Sequence, residues 1–263
     1  MGSMPLLIPP LKEQQRIGAL FKEIDRNISL NRALLDKLTK LKTSLLEQMF
    51  PRVGESVPQL RFDGFSEPWE PRCLKELVES FDYGLNAPSK PFDFTNKYLR
   101  IKEIDEISRT FSTADLTSPD AELSSAEKYL AREGDLFFAR TGNSIGRTYL
   151  YSKEVGRAIF TGSLIRAHVK QWQFCPEFVF YSTLTQGFLD FIKSTSARSV
   201  RPGINAHEYG TYRLMLPSLA EQQRIGAFFK AMDERIAQQR AKLSKLEQLK
   251  QALLGQMFVS API

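Results

Sequence analysis

The residues best suited to chemistry sit in two arginine-bearing stretches. The first reads Arg140-Thr141-Gly142-Asn143-Ser144-Ile145-Gly146-Arg147 and is bracketed by guanidinium groups. Gly142 and Gly146 permit tight backbone excursions, while Thr141, Asn143 and Ser144 offer side-chain hydrogen bonds. Arginine and asparagine are the usual partners of guanine and adenine edges, so the stretch suits a projecting loop that reads duplex DNA. An ordinary polar hairpin is the plainer alternative. It is not a nucleotide cradle, because neither GxxxxGK[ST] nor GxGxxG is present. The second stretch, residues 196–205, carries Arg198, Arg201 and Asn205 around a turn forced by Pro202-Gly203. Its alternative is a helix C-terminal connector whose cations offset the helix dipole. Arg100 and Lys102, on one face of an expected strand, and Arg166, on another, are further candidates for DNA contact. Lys153 and Arg157 suit phosphates.

Nothing comparable supports catalysis. There is no HExxH, no GxSxG in a strand–turn–helix context and no methylase-type DPPY or NPPY. Cys73 and Cys175 lie far apart, and His168 and His207 stand alone, so a zinc cluster lacks ligands. Glu208 beside His207 suits loop chemistry better than an acid–base pair. The expectation is a binding protein with no metal or cofactor of its own, in a reducing cytoplasm. No run of about 18 apolar residues suggests a membrane span. The opening Met1-Gly2-Ser3-Met4 resembles a cloning scar, and no secretory signal is expected.

Charge supports a polyanionic partner. The net charge is +6. Residues 51–135 hold about 11 basic and 17 acidic groups, whereas 136–213, which contain both stretches, hold about 10 and 4. Two oppositely charged lobes attracting one another would give the same pattern.

These loops need a body to hold them. Short apolar runs bounded by turn residues, at 98–102, 134–139, 147–151, 158–160 and 164–169, predict strands. One helix is expected over Pro176–Thr195, with proline in its first turn. The centre is therefore a strand-rich α+β domain.

Around it the chain repeats itself. Leu11–Phe50 and Leu219–Phe258 align without a gap at a constant offset, with about 24 of 40 positions identical. Apolar residues step by four and three: Ile17, Phe21, Ile24, Ile28, Leu35, Leu38, Leu45 and Met49, then Ile225, Phe229, Met232, Ile236, Leu243, Leu246, Leu253 and Met257. That heptad seam predicts two long helices. Since one ends where the central domain begins and the other starts where it ends, they are expected to pair antiparallel as a stalk. Asn31 and Gln239 interrupt the seam at one position, Lys42 and Lys250 at another. They either fix register or lie at the seam's rim. Leu20, Leu34, Leu41, Leu46, Phe228, Leu249 and Leu254 fall off the seam and suggest a second apolar face, for helices of another protein. Leu6-Leu7-Ile8-Pro9 matches Leu214-Met215-Leu216-Pro217, so a remnant strand is expected before the first helix. The expected partition is 1–10 scar and remnant strand, 11–50 first helix, 51–217 DNA-binding domain, 218–258 second helix and 259–263 tail.

Pro9-Pro10-Leu11-x-Glu13-Gln14-x-x-Ile17, its second copy over Pro217–Ile225, Pro58-x-Leu60-Arg61-Phe62…Trp69 and Gly134-Asp135-Leu136-Phe137-Phe138…Gly146 resemble specificity subunits of type I restriction–modification systems over essentially the whole chain. The resemblance implies a target-recognition domain reading one half of a split DNA site, with helices that dock methyltransferase subunits. S-adenosylmethionine would be carried by those partners, and restriction subunits would join further out. Such subunits normally carry two recognition domains. This chain has one, so a shortened form or a natural half-subunit is implied, and self-association of two copies is a further expectation. A coiled-coil assembly adaptor, or an anti-restriction decoy lacking site-specific DNA binding, remains the alternative.

Overall fold

The computed structural model describes residues 8–122, 126–197 and 203–257. Its elements are α1 (Leu11–Met49), β1 (Glu70–Cys73), α2 (Leu74–Leu77), β2 (Val78–Tyr83), β3 (Ser89–Pro91), β4 (Lys97–Leu99), β5 (Thr117–Pro119), β6 (Asp135–Ala139), β7 (Thr148–Leu150), β8 (Ala158–Phe160), β9 (Leu164–Val169), α3 (Pro176–Ser182), α4 (Gln186–Ser196), α5 (Ala206–Gly210), β10 (Arg213–Leu216) and α6 (Leu219–Met257). They form an α+β architecture with a long helix at each end. The chain divides into two compact units, one of residues up to Thr43 together with those from Ala231 onward, the other Ser44–Lys230.

In the first unit α1 and α6 run antiparallel. Asp25 pairs with Lys250 at 2.6 Å. Gln239 Nε2 donates to Asn31 Oδ1 at 2.9 Å. Lys42 bonds Asp233. Numbers rise along one helix as they fall along the other. Ile24, Ile28 and Ile236 are buried in the seam, as is Asn31. Asn31 is thus interior, whereas Gln239, Lys42 and Lys250 are only half-buried. Asn31 and Gln239 stand 208 positions apart, the offset of the repeat itself. Asp25 and Asp233 are equivalent in the same way, and so are Lys42 and Lys250. The pairing thus has an internal near-two-fold symmetry. Leu20, Leu34, Leu41 and Leu249 stay exposed, and Leu254 is half-buried.

In the second unit four strands form one antiparallel sheet in the order β2-β9-β6-β7. Central β9 alternates. Ile165 and Ala167 face one way, with Phe138 beside Tyr209 (4.7 Å) and Phe188 (6.2 Å), so α4 and α5 cover that side. Leu164 joins Phe137, Phe160, Leu99 and Ile104 in the core on the other side, under the parallel pair β4–β8. β1 and β10 pair separately.

The start of α6 packs inside this unit on several independent contacts. Fully buried Phe229 meets Phe50 (6.2 Å) and Tyr181 (5.2 Å), a burial worth roughly 1.5–3 kcal/mol. Arg61 grips Glu221 with two hydrogen bonds, at 2.7 and 2.8 Å. The Cys175 amide donates to Gln222 Oε1. Gly226 lets the backbones approach, since an added Cβ would lie 2.9 Å from Glu177 Cβ. One expectation of the off-seam face is corrected here: Leu46 is buried and not free for a partner, while Phe228 is half-buried edge-on to Phe62 at 5.6 Å.

The expected single helix over 176–195 is also corrected. It breaks after Ser182 because consecutive hydroxyls bond back to carbonyls: Ser182 to Val179, Thr183 to Phe180 and Thr185 to Ser182. Such bonds give the backbone an alternative to helix continuation.

Candidate nucleic-acid interface

β2 and β6 both run antiparallel to β9, so their C-terminal ends lie together at one end of the sheet. Arg140 follows β6 there. Its amide donates to Ser163 O and its carbonyl accepts from the Ile204 amide. The guanidinium lies 4.8 Å from the Tyr83 ring centroid and donates from Nη1 to Gly162 O at 3.3 Å. The Tyr83 hydroxyl in turn accepts from the Ala206 amide. Tyr83 is exposed and was not anticipated from sequence, because only the pairing of β2 and β6 with β9 brings it beside the basic loop.

Gly142–Ser144 form a single 3-10 turn. Gly142 and Gly146 both have positive φ (72° and 80°), which supplies the reversal that other residues adopt at a cost. Buried Tyr209 anchors the turn. Its hydroxyl accepts from the Gly146 amide at 3.1 Å and donates to Ala139 O at 2.7 Å. Burial raises the Tyr209 phenol well above its ordinary range, so it stays a neutral donor. Thr141 and Asn143 project exposed, and Ser144 is half-buried. Thr141 also bridges Gly203.

The other candidates separate from this group. Arg147 is only 16% exposed at its side chain, donating to Ile104 O and pairing with Glu106 at 3.3 Å. Asn205 follows Ile204, whose amide reaches Arg140, but is committed to the α5 N-cap. Its side chain accepts from the Glu208 amide (2.9 Å), and Glu208 Oε2 accepts from the Asn205 amide (2.8 Å), a reciprocal capping box. Arg166 is corrected outright: it is buried, bonded through Nη2 to Asp82 at 2.8 Å, and structural. Arg100 does not stand on a strand face either. The strand ends at Leu99, and Arg100 bonds Glu103 and Ser89 at the start of a 3-10 turn, while Lys102 remains exposed. Arg157 is held by Asn96 and Glu127. Lys153 is exposed. Arg198 and Arg201 lie outside the described residues.

One polar cluster inside the sheet resembles an active site only superficially. His168 Nδ1 is 2.6 Å from Asp135 Oδ1, but Asp135 is fully buried and also accepts from the Arg132 amide. Burial raises its carboxyl despite the His168 contact. Among the described residues no three ligating side chains are disposed to hold a metal. A cleft of about 370 Å³ lined by Phe50, Val53, Pro71, Thr185, Tyr212 and Met215 includes no residue of the Arg140–Arg147 turn.

Residues 66–248, well over half of the chain, match the family model described as type I restriction modification DNA specificity domain. The chain belongs to that family. Among solved structures, this specificity-domain chain is similar to one from a study of complex assembly and conformational transition in a type I restriction–modification system (19% identity, TM-score 0.57). The match covers 95% of this chain and 60% of the other. It is also similar to the HsdS subunit of Thermoanaerobacter tengcongensis (19% identity, TM-score 0.55, 95% and 59% covered). The type I S subunit of M. genitalium gives 16% identity, TM-score 0.50 and coverage of 92% and 57%. The specificity-domain chain thus spans about 60% of the length of these relatives. No curated protein sequence matches it. Among the described residues, no helix is long and apolar enough to cross a membrane.

Proposed function

We propose that this chain recognises a DNA sequence without catalysis of its own, as part of a cytoplasmic type I restriction–modification complex. It reads one half of a bipartite target through the turn at Arg140–Arg147. Asn143 and Thr141 address base edges, Arg140 supplies charge from its stack on Tyr83, and exposed Lys102 and Lys153 offer phosphate contacts. The observation that carries this reading is the pair of exposed hydrogen-bonding side chains on a turn fixed by Tyr209, in a chain of the DNA-specificity family. A rigid turn suits readout because little entropy is lost on binding. Exposed Leu20, Leu34 and Leu41 on α1, with Leu249 on α6, offer apolar area for methyltransferase subunits, which bring S-adenosylmethionine; restriction subunits join beyond them.

Duplexes selected from a random pool by the chain with its methyltransferase test the reading. Asn143→Ala should relax base preference at one position, worth about 1–3 kcal/mol of discrimination. The same change with an unaltered selected motif would refute the role of the turn. The exposed leucines also favour an assembly adaptor. Salt-dependent retention on duplex DNA distinguishes the two, since an adaptor shows none.

A further inference from the structure

Arg109 carries three costs at once. It lies in the loop closed by the isolated bridge between Ile104 and Phe111. Asp105 orders that loop: its Oδ1 accepts from the amides of Ile107 (3.1 Å) and Ser108 (2.6 Å) and from the Ser108 hydroxyl (2.7 Å). Within this turn Arg109 has φ +57°, which a residue with a side chain rarely adopts. Its Nη1 is buried without a hydrogen-bond partner. Burial first, and then the positive charge of Arg147, hold its guanidinium below the ordinary arginine value, against the opposing pull of Glu106 and Asp105. Backbone strain of this kind gathers at clamps and switches, and an orphaned buried donor calls for a partner.

The surroundings indicate which partner. Arg147 is the last residue of the candidate reading turn and touches this loop twice, through Ile104 O and the Glu106 carboxylate. Glu106 is 77% exposed and holds Arg147 only loosely, while Asp105 and Glu106 both act on the Arg109 guanidinium. An oxyanion with several acceptor oxygens could take the place of loosely held Glu106 and give the orphaned donor a partner, and arginines suit phosphate in that role.

We infer that the Ile104–Phe111 loop is a sprung phosphate clamp, in which Arg109 leaves its strained seat when duplex DNA arrives and joins Arg147 on one backbone phosphate, displacing Glu106. This rests on the DNA-recognition reading above. Relief of strain and of the orphaned donor accompanies binding, so the free loop stores part of what the complex recovers.

Arg109→Gly separates this from a structural role, because glycine adopts the left-handed conformation freely and leaves no orphan. The variant should melt higher than the unaltered protein. It should bind a selected duplex about 10-fold more weakly, with the slope of log K against log salt reduced by about one. Glu106→Gln should act oppositely, tightening binding several-fold at unchanged melting temperature. A lower melting temperature in Arg109→Gly, or undiminished DNA affinity, would overturn the clamp while leaving sequence recognition intact. Absence of any salt-dependent DNA binding by the unaltered protein would bring down both.

Discussion

Tyr209 and Gly146 together set the shape of the turn that carries Asn143. At Gly146 an added Cβ would meet Ile192 at 2.7–3.1 Å, and the positive φ adds strain even where the side chain yields. Gly146→Ala is therefore expected to destabilise the protein by about 1–3 kcal/mol, measurable by urea denaturation. Reduced discrimination between duplexes should accompany it, because Asn143 rides on the displaced backbone. Which polar residues are available for recognition was only partly legible beforehand. Arg140 and Asn143 announce themselves by type and by flanking glycines. Arg166 has the right chemistry too, but its partner Asp82 lies on a distant strand, and only the β2–β9 register brings them together. Asn205 could have been set aside from sequence, since Asn205-x-x-Glu208 has capping-box spacing. Tyr209 had no local signal at all: its two backbone partners belong to a strand and a turn about 60 residues earlier.

The long helices were the most legible elements, because their period is local and written twice. Their pairing includes a part-buried contact of Asn31 with Gln239. Asn31→Leu alone strands the Gln239 amide and should cost about 1–2 kcal/mol in urea denaturation. Asn31→Leu combined with Gln239→Leu should recover that loss or exceed it, while sedimentation shows mixed association states, as polar seam residues specify partner number. Equal loss in the single and double variants would mean that the contact contributes packing and not polarity. The central helix failed as a sequence expectation for a physical reason. Apolar periodicity continues through Ser182–Thr185, but three hydroxyls compete locally for the carbonyls, and periodicity is blind to that competition.

At the scale of the molecule, acid sensitivity should trace to paired carboxylates. Burial acts to raise Asp82, but hydrogen bonds from Arg166 and Ser80 outweigh it and hold the group low. Asp93 is held lower still, accepting from the amides of Thr95 and Asn96 and from the Asn96 side chain. A carboxylate depressed in the folded state contributes stability above its unfolded value, near about pH 4, and loses it as pH falls further. Asp135, raised by burial, has the opposite sign, its contribution fading as pH rises. Melting temperature should therefore fall on acidification below about pH 4, and Asp93→Asn should flatten that limb. An unchanged limb would show that the Asp93 turn is not formed in solution. The helix pair has a different consequence. Its interior looks the same after half a turn, but its exterior does not: Leu41 and Leu249 are equally exposed, at 50% and 49%, whereas Leu34 is answered by Lys242. Two identical clasps closing on such a rod, one from each side, would find unequal holds, so one would fasten firmly and the other would be the first to slip.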